Sequence, residues 1–439
     1  MSLTEHDVEA GGAAVAPAVI EVPYSPRRRL VTGSILVVLG LVSVFALGLG
    51  SAAGRHARFT TTPAGARFTM PTISLPARYV AMVLGFVVVA FGLYQILRGF
   101  RRSTMRWVLA LTILCLVVSF FCWADSGESG QAVDLFQLFQ NTLISAVPLI
   151  LGALAGVVGE RSGVINVAIE GQLLAGAFMG ALAASIAHND GVGIVGAVLA
   201  GAAMGALLAV FAIKYFVNQV ILGVVLNVFA LGVTGLFYDS LMQKNPDHYN
   251  NPSVLGPIKI PVLGDIPVIG PLFFDVNIIV YMMYALIIGV DVALFRTRWG
   301  LRTRAVGEHP RAADTVGINV LRTRYVNVIF AGLIAGLGGA FLTIGGVGAF
   351  SKNISSGKGF IALAAVIFGR WSPRGAIAAA LLFGFADALQ TVLSIIGTPV
   401  TIPSAFLAML PYLATIFAVA GLVGRVRAPA ADGQPYTTR

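Results

Sequence analysis

The sequence has few charged residues and few cysteines. Asp, Glu, Lys and Arg make up 11% of the 439 residues and hydrophobic residues 57%, whereas a soluble globular domain is roughly a quarter charged. A water-soluble fold is therefore excluded. The two cysteines, Cys115 and Cys122, lie on one helix face within a single apolar run. This spacing fits neither a disulfide nor a metal site.

Motifs for catalysis and nucleotide binding are also missing. All five histidines lie outside the apolar runs, and neither Gly-x-Ser-x-Gly nor His-Glu-x-x-His occurs. Gly357 and Lys358 do not form a phosphate-binding loop, because residue 352 is Lys and no Ser or Thr follows Lys358. We expect no enzyme activity, no metal and no cofactor in this chain.

Long apolar runs dominate what is present. A helix crosses a bilayer with about 20 apolar residues, and such runs occur at 30–50, 77–97, 105–124, 135–158, 164–187, 193–213, 218–238, 277–296, 325–346, 375–396 and 403–424. A shorter run at 359–369 indicates a half-helix or a re-entrant element. These runs predict an all-α, polytopic membrane helical bundle of about 11 to 12 membrane segments, including broken or re-entrant helices.

The basic residues indicate the orientation of these segments. The formal net charge is +10, but the basic residues lie in short loops rather than on one face, so we expect no nucleic-acid partner. With a cytoplasmic N-terminus, all but eight of the 29 lysines and arginines fall on the cytoplasmic side. Both termini are thus predicted to be cytoplasmic. The first run lacks a cleavage pattern and reads as a retained signal anchor.

Four regions follow along the chain. Residues 1–29 are predicted to be a cytoplasmic N-terminal tail, 30–124 to form three N-terminal transmembrane helices, 134–424 to form the transport core, and 425–439 to be a disordered cytoplasmic C-terminal tail. Within the core, residues 239–276 are rich in Pro, Gly and Asn. This composition favours an ordered external loop.

The segment GERSGVINVAIEGQ, residues 159–172, interrupts the apolar runs with glycines and polar residues. Such residues are costly near hydrocarbon and should face protein or water. Two interpretations remain open. Asn166, Glu170 and Gln172 could line a solute pathway, or Asn166 and Glu170 could bond to neighbouring helices. A second polar, glycine-interrupted stretch lies at 351–359, and broken helices in transporters often recur in this way.

Isolated polar residues within the spans extend the candidate pathway. Together with the residues of the first segment, the predicted set is Asn141, Asn166, Glu170, Gln172, Asn227 and Gln390. Asp291 and Asp387 also lie within spans, and for both residues a role in helix packing and a role in the pathway stay open.

The segment RTRWGLRTRAVGEHPRAADTVGINVLRTRY, residues 296–325, is the longest predicted cytoplasmic loop between spans. Pro310 marks a helix start and Gly317 a helix stop. A short helix in this position is suited to dock on a cytoplasmic partner, although the arginines alone could bind anionic lipid. The predicted docking residues are Gly307, Glu308, Pro310, Arg311, Ala312, Ala313, Asp314 and Gly317.

Three segments, GERSGVINVAIEGQ, GEHPRAADTVGINV and GFIALAAVIFGRWSPRGAIAAALLFGFADALQ, resemble the permease family of bacterial ABC importers for simple sugars, nucleosides and branched-chain amino acids. The resemblance covers about residues 134–424 and is nearest the nucleoside-type permeases. It implies a permease subunit in the bacterial cell membrane that forms half of a translocation pathway for a small polar solute, a nucleoside before a simple sugar. Residues 307–317 would be the coupling helix.

The resemblance also implies partners. These are a second homologous permease, a cytoplasmic subunit that binds ATP, an extracytoplasmic substrate-binding lipoprotein and the lipid bilayer. A heterodimer of two permeases is expected, and a homodimer stays open. The alternative is a secondary transporter driven by an ion gradient through carboxylates such as Glu170 and Asp387.

Overall fold

The computed structural model describes residues 26–62, 70–127, 132–395, 398–400, 402–417 and 427–437. Residues 1–25 of the predicted N-terminal tail lie outside the described residues. The same holds for residues 418–424 of the last apolar run, and for 425, 426, 438 and 439 of the C-terminal tail.

The apolar runs form helices, because only a helix pairs every backbone N–H and C=O group within one segment. Ten helices in the described ranges are long and apolar enough to cross a membrane, and Lys358–Phe368 is a shorter apolar helix. The predicted all-α polytopic fold is confirmed. The run predicted at 403–424 begins as two short helices, α16 (Ser404–Ala408) and α17 (Leu410–Phe417).

One compact unit comprises the first three long helices, α1 (Pro26–Val42), α2 (Ala77–Leu97) and α3 (Arg102–Ala124). Glycines bring α1 and α2 together. A Cβ atom on Gly33 would lie 2.9 Å from the Gly92 carbonyl oxygen, and one on Gly40 would lie 2.8 Å from that of Gly85. Two backbones can approach this closely only where side chains are absent.

The second unit contains the remaining helices of the described chain. They are α4 (Leu135–Arg161), α5 (Ile169–Ala187), α6 (Asp190–Ala209), α7 (Gln219–Phe237), α8 (Pro246–Tyr249), α9 (Ile269–Phe273), α10 (Ile278–Arg296), α11 (Arg298–Glu308), α12 (Pro310–Thr315), α13 (Val320–Leu342), α14 (Lys358–Phe368), α15 (Pro373–Ile395), α16 and α17. The strands of the described chain, which are not confined to this unit, are short: β1 (His56–Thr60), β2 (Ile73–Pro76), β3 (Val133–Asp134), β4 (Ile258–Lys259) and β5 (Asp275–Val276).

The core of the second unit is built around α4, α5 and α13, whose side chains are mostly buried. Helices α6 and α13 cross at two small-residue pairs, Gly201 with Gly205 and Gly332 with Gly336. A Cβ atom on Gly201 would lie 2.2 Å from the Gly332 carbonyl oxygen. Glycines four residues apart on each helix permit this contact. A substitution here would force the two helices apart.

The predicted external loop, residues 239–276, is ordered. It contains α8, the antiparallel pair of β4 and β5, and α9. The Asn250 side chain holds the loop to the segment after α13, because its amide donates to the Phe350 carbonyl oxygen (2.9 Å) and accepts from the Phe350 N–H (2.7 Å).

Candidate functional site

The polar segment at 159–172 is a helix break. Helix α4 ends at Arg161 and α5 begins at Ile169. Gly163 turns the chain with a φ of +86°, a conformation that favours glycine. A Cβ atom there would lie 2.9 Å from the Arg324 guanidinium. Glycine therefore permits both the turn and the close packing that follows it.

The side chains of Asn166 and Gln172 pair with each other within the helix break. Both side chains are fully buried. The Asn166 amide donates to the Gln172 side-chain oxygen (3.1 Å), and the Gln172 amide donates to the Asn166 oxygen (3.2 Å). Paired side-chain amides satisfy groups that would be costly to leave unpaired in an apolar interior. Each side chain thus has the other as a hydrogen-bond partner.

Helix α7 holds the same break from the side. The Asn227 side chain accepts from the Gly171 N–H (2.8 Å) and donates to the Val167 carbonyl oxygen (2.9 Å). At the first residue of α7, the Gln219 side chain accepts from the Ile165 N–H (2.7 Å). Backbone groups freed by the missing helical turns are thus paired by side chains of a neighbouring helix.

Glu170 joins the break to the short helix α14. One carboxyl oxygen accepts from the Ser355 hydroxyl (2.6 Å) and the Gly357 N–H (2.8 Å), and the other accepts from the Gly359 N–H (2.6 Å). The carboxyl group therefore occupies the N-terminus of α14, where unpaired N–H groups favour an acceptor. A Cβ atom on Gly359 would lie 2.4 Å from the Glu170 backbone. The two polar, glycine-interrupted stretches meet here.

A second junction lies at the Arg161 end of α4. The Trp371 indole N–H donates to the buried Glu160 carboxyl group, and the Arg161 guanidinium donates to the Trp371 carbonyl oxygen (2.7 Å). Gly307 of α11 packs on the end of α4, because a Cβ atom there would lie 2.2 Å from the Arg161 carbonyl oxygen. The segment after α14 and the end of α11 are thus both fixed to α4.

The segment after Gly307 protrudes from this junction. Helix α11 ends at Glu308, α12 begins at Pro310, and Gly317 follows α12 with a φ of +82°. Arg311, Ala312 and Val316 are exposed, Val316 by 75%, whereas Ala313 is buried. The predicted short helix is present. Gly307 and Glu308, however, form the end of α11 rather than part of the short helix.

The family model for the permease component of branched-chain amino acid transport systems matches residues 138–420, more than half of the chain. The chain belongs to this permease family. With ten candidate spans, the permease is a multi-pass membrane protein. Helices α1 to α3 lie outside the matched residues. No solved structure gave a significant match.

Curated relatives agree with the family assignment. The guanosine ABC transporter permease protein NupQ of Bacillus subtilis is 43% identical over 303 residues, covering 67% of this chain and 94% of the relative. The nucleoside ABC transporter permease protein NupC of Lactococcus lactis is 38% identical over 308 residues, covering 67% and 95%. A putative glucose ABC transporter permease of Haloferax volcanii is 34% identical over 253 residues, covering 58% and 76%. The resemblance to nucleoside-type permeases is confirmed.

The same two bacteria have further matching permeases. The guanosine permease NupP of Bacillus subtilis is 26% identical over 290 residues, covering 63% of this chain and 80% of the relative. The nucleoside permease NupB of Lactococcus lactis is 28% identical over 264 residues, covering 57% and 71%. In both bacteria, this chain is thus more similar to one of the two permeases than to the other.

Four of the six predicted pathway residues of the permease lie together at the break, namely Asn166, Glu170, Gln172 and Asn227. Asn141 lies near the start of α4, partly exposed, and accepts from the Gln137 side chain (3.0 Å). Gln390 is half-buried on α15. Of the two other intramembrane carboxylates, Asp291 pairs with Arg374 on α15 (2.8 Å).

Sequence reasoning missed the partners of these residues. Ser355, Gly357 and Gly359 bind Glu170, Gln219 binds the break and Trp371 binds Glu160. The polar stretch 351–359 was a signal for the first three. Its pairing with a residue about 185 positions earlier has no signature in a single sequence.

Proposed function

We propose that this permease is a membrane subunit of an ATP-driven importer that takes up nucleosides. The observation that carries the proposal is the match to two nucleoside-type permeases along 94% and 95% of their lengths. Simple sugars are the second candidate, supported by the glucose permease relative.

The protruding segment supports an external source of energy. Helix α12 presents exposed Arg311 and Ala312, the exposed Val316 follows it directly, and the helix is anchored through α11 to the end of α4. A rigidly anchored, exposed short helix is suited to fit a groove on another protein. We propose that a separate cytoplasmic subunit binds and hydrolyses ATP, and that α12 couples it to the helices.

A second permease is the expected partner within the membrane. In Bacillus subtilis and in Lactococcus lactis, two permeases match this chain at clearly different identities, 43% against 26% and 38% against 28%. Such pairs favour a heterodimer, in which this chain takes the place of NupQ or NupC. A substrate-binding lipoprotein on the outer face would deliver the solute.

The proposed orientation places both termini and α12 in the cytoplasm. Lysines and arginines are enriched in cytoplasmic segments, and seven arginines lie between the last residue of α10, Arg296, and the first turns of α13, at Arg324. The residues 239–276 would then form an outer loop.

The alternative, an ion-gradient-driven transporter, needs carboxyl groups free to bind an ion. Glu170 is poorly suited to this role, because each of its oxygens already accepts from protein donors within 2.8 Å.

Uptake by proteoliposomes tests the proposal. The chain is reconstituted with its second permease, ATPase subunit and receptor, and uptake of labelled guanosine is measured with ATP and with a non-hydrolysable ATP analogue. We expect uptake only with hydrolysable ATP, and competition by unlabelled nucleosides but not by glucose. Uptake that persists without ATP but collapses with a proton or sodium gradient would contradict the proposal.

A further inference from the structure

The segment 427–437, which we call the C-terminal strap, lies against the coupling region. The sequence predicts disorder here, and that prediction is wrong for these residues. The Ala431 N–H donates to the Gly307 carbonyl oxygen (2.9 Å), and the Ala430 N–H donates to the Glu308 carboxyl group (3.2 Å). Ala431 is buried. The strap therefore holds the end of α11 through backbone groups.

The other end of the strap holds α12. The Tyr436 hydroxyl donates to the Asp314 carboxyl group (2.7 Å). The Tyr436 ring is 7% exposed and packs with Val306, Ala313 and Val320. Tyr436 thus belongs to a buried cluster that includes residues of α11, α12 and the start of α13.

The middle of the strap is fixed to the helix break and to α13. The Arg324 guanidinium donates to the Gln434 carbonyl oxygen (2.8 Å). Gly433 has a φ of +73°, and a Cβ atom there would lie 2.6 Å from the Ile165 side chain. A larger residue at this position would be strained and would also collide with the break. The path of the strap is therefore strongly specified.

Charged groups lie beneath the strap. Glu160 is 3% exposed and Arg324 2%, and both interact electrostatically with Asp432 of the strap. Burial of such groups is costly unless their geometry is maintained. Lifting the strap would expose this cluster, so the docked arrangement is a distinct state rather than a loosely packed tail.

The strap leaves the protruding face of the coupling segment free. It contacts Gly307, Glu308 and Asp314, whereas Arg311, Ala312 and Val316 stay exposed. With these contacts the strap can hold α12 in a fixed orientation without covering its exposed face.

We infer that the C-terminal strap positions the coupling segment for docking on the ATPase subunit, with Tyr436 as the positioning residue. The inference rests on the proposed function. Transport would then depend on a segment that follows the last membrane helix.

Hydrogen exchange tests the strap independently of transport. Amide exchange is measured in the purified permease and in the variants Tyr436→Ala, Tyr436→Phe, Gly433→Val and the control Thr437→Ala, whose side chain is exposed. For Tyr436→Phe we expect exchange at the amides of residues 311–316 to rise about three- to tenfold, the size of one net hydrogen bond. Tyr436→Ala and Gly433→Val should raise it further, and Thr437→Ala should leave it unchanged.

The second readout is the number of solute molecules imported per ATP hydrolysed by the complete importer. This ratio should fall in the order of the exchange increase, with partial rescue in Tyr436→Phe relative to Tyr436→Ala. A merely structural role would lower the amount of folded protein without changing the ratio. If Tyr436→Ala or Gly433→Val fails to fold, Tyr436→Phe decides.

The outcomes separate the two proposals. Unchanged exchange in the Tyr436 variants overturns the strap inference, and so does raised exchange with an unchanged import ratio. Failure of the unmodified complex to import with ATP contradicts the proposed function instead, and the exchange result then still decides whether the strap holds α12.

Discussion

Replacing Glu170 with alanine should destabilise the fold, because this side chain joins α5 to α14. The substitution leaves the Ser355 hydroxyl and the Gly357 and Gly359 N–H groups without their acceptor. Hydrogen bonds to a charged group contribute about 1.5 to 3 kcal/mol each, but such contributions are not additive. A single buried donor left without its acceptor costs about 1 to 3 kcal/mol, and three donors that share one acceptor should together cost up to about 5 kcal/mol, the upper end for one substitution. We expect a loss of unfolding free energy in this range.

Thermal and denaturant unfolding of the purified permease in detergent measures this loss. Glu170→Gln should be intermediate, because its amide nitrogen would face the Gly359 N–H, donor against donor. Asn141→Ala is the matched control. Asn141 belongs to the same predicted pathway set but is partly exposed and bonds only to Gln137 among the contacts described, so we expect a change within about 0.5 kcal/mol.

The opposite pattern would refute the structural assignment of Glu170. If Glu170→Ala unfolds like the unmodified permease but abolishes nucleoside uptake, the carboxyl group acts on the solute or on an ion. From the sequence, Glu170 could either line the solute pathway or bond to neighbouring helices. Measuring both unfolding and uptake separates these two roles.

Three further predictions concern other contacts. Gly201→Ala should cost about 1 to 3 kcal/mol of unfolding free energy, because the added Cβ atom would collide with the Gly332 carbonyl oxygen. The control Gly235→Ala should be neutral or slightly stabilising, because nothing lies within 4 Å of a Cβ atom there. Equal melting temperatures of the two variants would contradict this prediction. Trp371→Phe should cost about 1 to 3 kcal/mol, since it removes the donor to the buried Glu160 carboxyl group. Burial raises the pKa of Asp432 to about 7 from its ordinary 3.8, although the hydrogen bond from the Gly433 N–H and the charge of Arg324 lower this pKa. The carboxyl group of Glu160 interacts electrostatically with Asp432. Protonation therefore favours the docked strap below pH 3.8, and this contribution is lost as the pH rises to about 7, by at most about tenfold in the docking equilibrium per pH unit. Proteolytic cleavage of 427–437 between pH 5 and 8 should follow this dependence, and Asp432→Asn should abolish it.

The sequence was sufficient for the membrane class and for the two ends of α12, because both depend on local signals. Apolar runs of about 20 residues identify spans, and Pro310 and Gly317 mark where the short helix starts and stops. Both signals act over a few residues, so one sequence suffices to read them.

The site depends instead on contacts between distant residues. Glu170 pairs with Gly359, and Asn227 with Gly171, and neither pairing leaves a periodic pattern in the sequence. The C-terminal strap shows the same limit. Its small, polar composition predicts disorder, but a few specific bonds, including that of Tyr436 to Asp314, and the burial of Ala431 fix it in place. Tertiary contacts here override composition.

The packing of α13 restricts which parts of the permease can move during transport. Its glycines contact α6 and α5 at the backbone: a Cβ atom on Gly336 would lie 2.3 Å from the Ala197 carbonyl oxygen, and one on Gly339 would lie 2.2 Å from that of Leu173. Packed surfaces of this kind do not slide continuously, since small displacements create clashes or voids. We therefore expect α5, α6 and α13 to move as one body.

Movement should then be concentrated where the helices are interrupted, at residues 162–168 and at 369–372 on either side of the Trp371 junction. Helix α14 is short and is joined to α5 mainly through Glu170 and the contact at Gly359, whereas it packs closely on glycines of α4. We therefore expect α14 to shift relative to α5 together with α4. Spin labels on α6 and α13 should keep their distance between ATP-bound and ATP-free states of the importer, whereas labels on α5 and α14 should not. A change between α6 and α13 with none at α14 would place the moving boundary elsewhere, because the glycine contacts would then have to separate in every transport cycle.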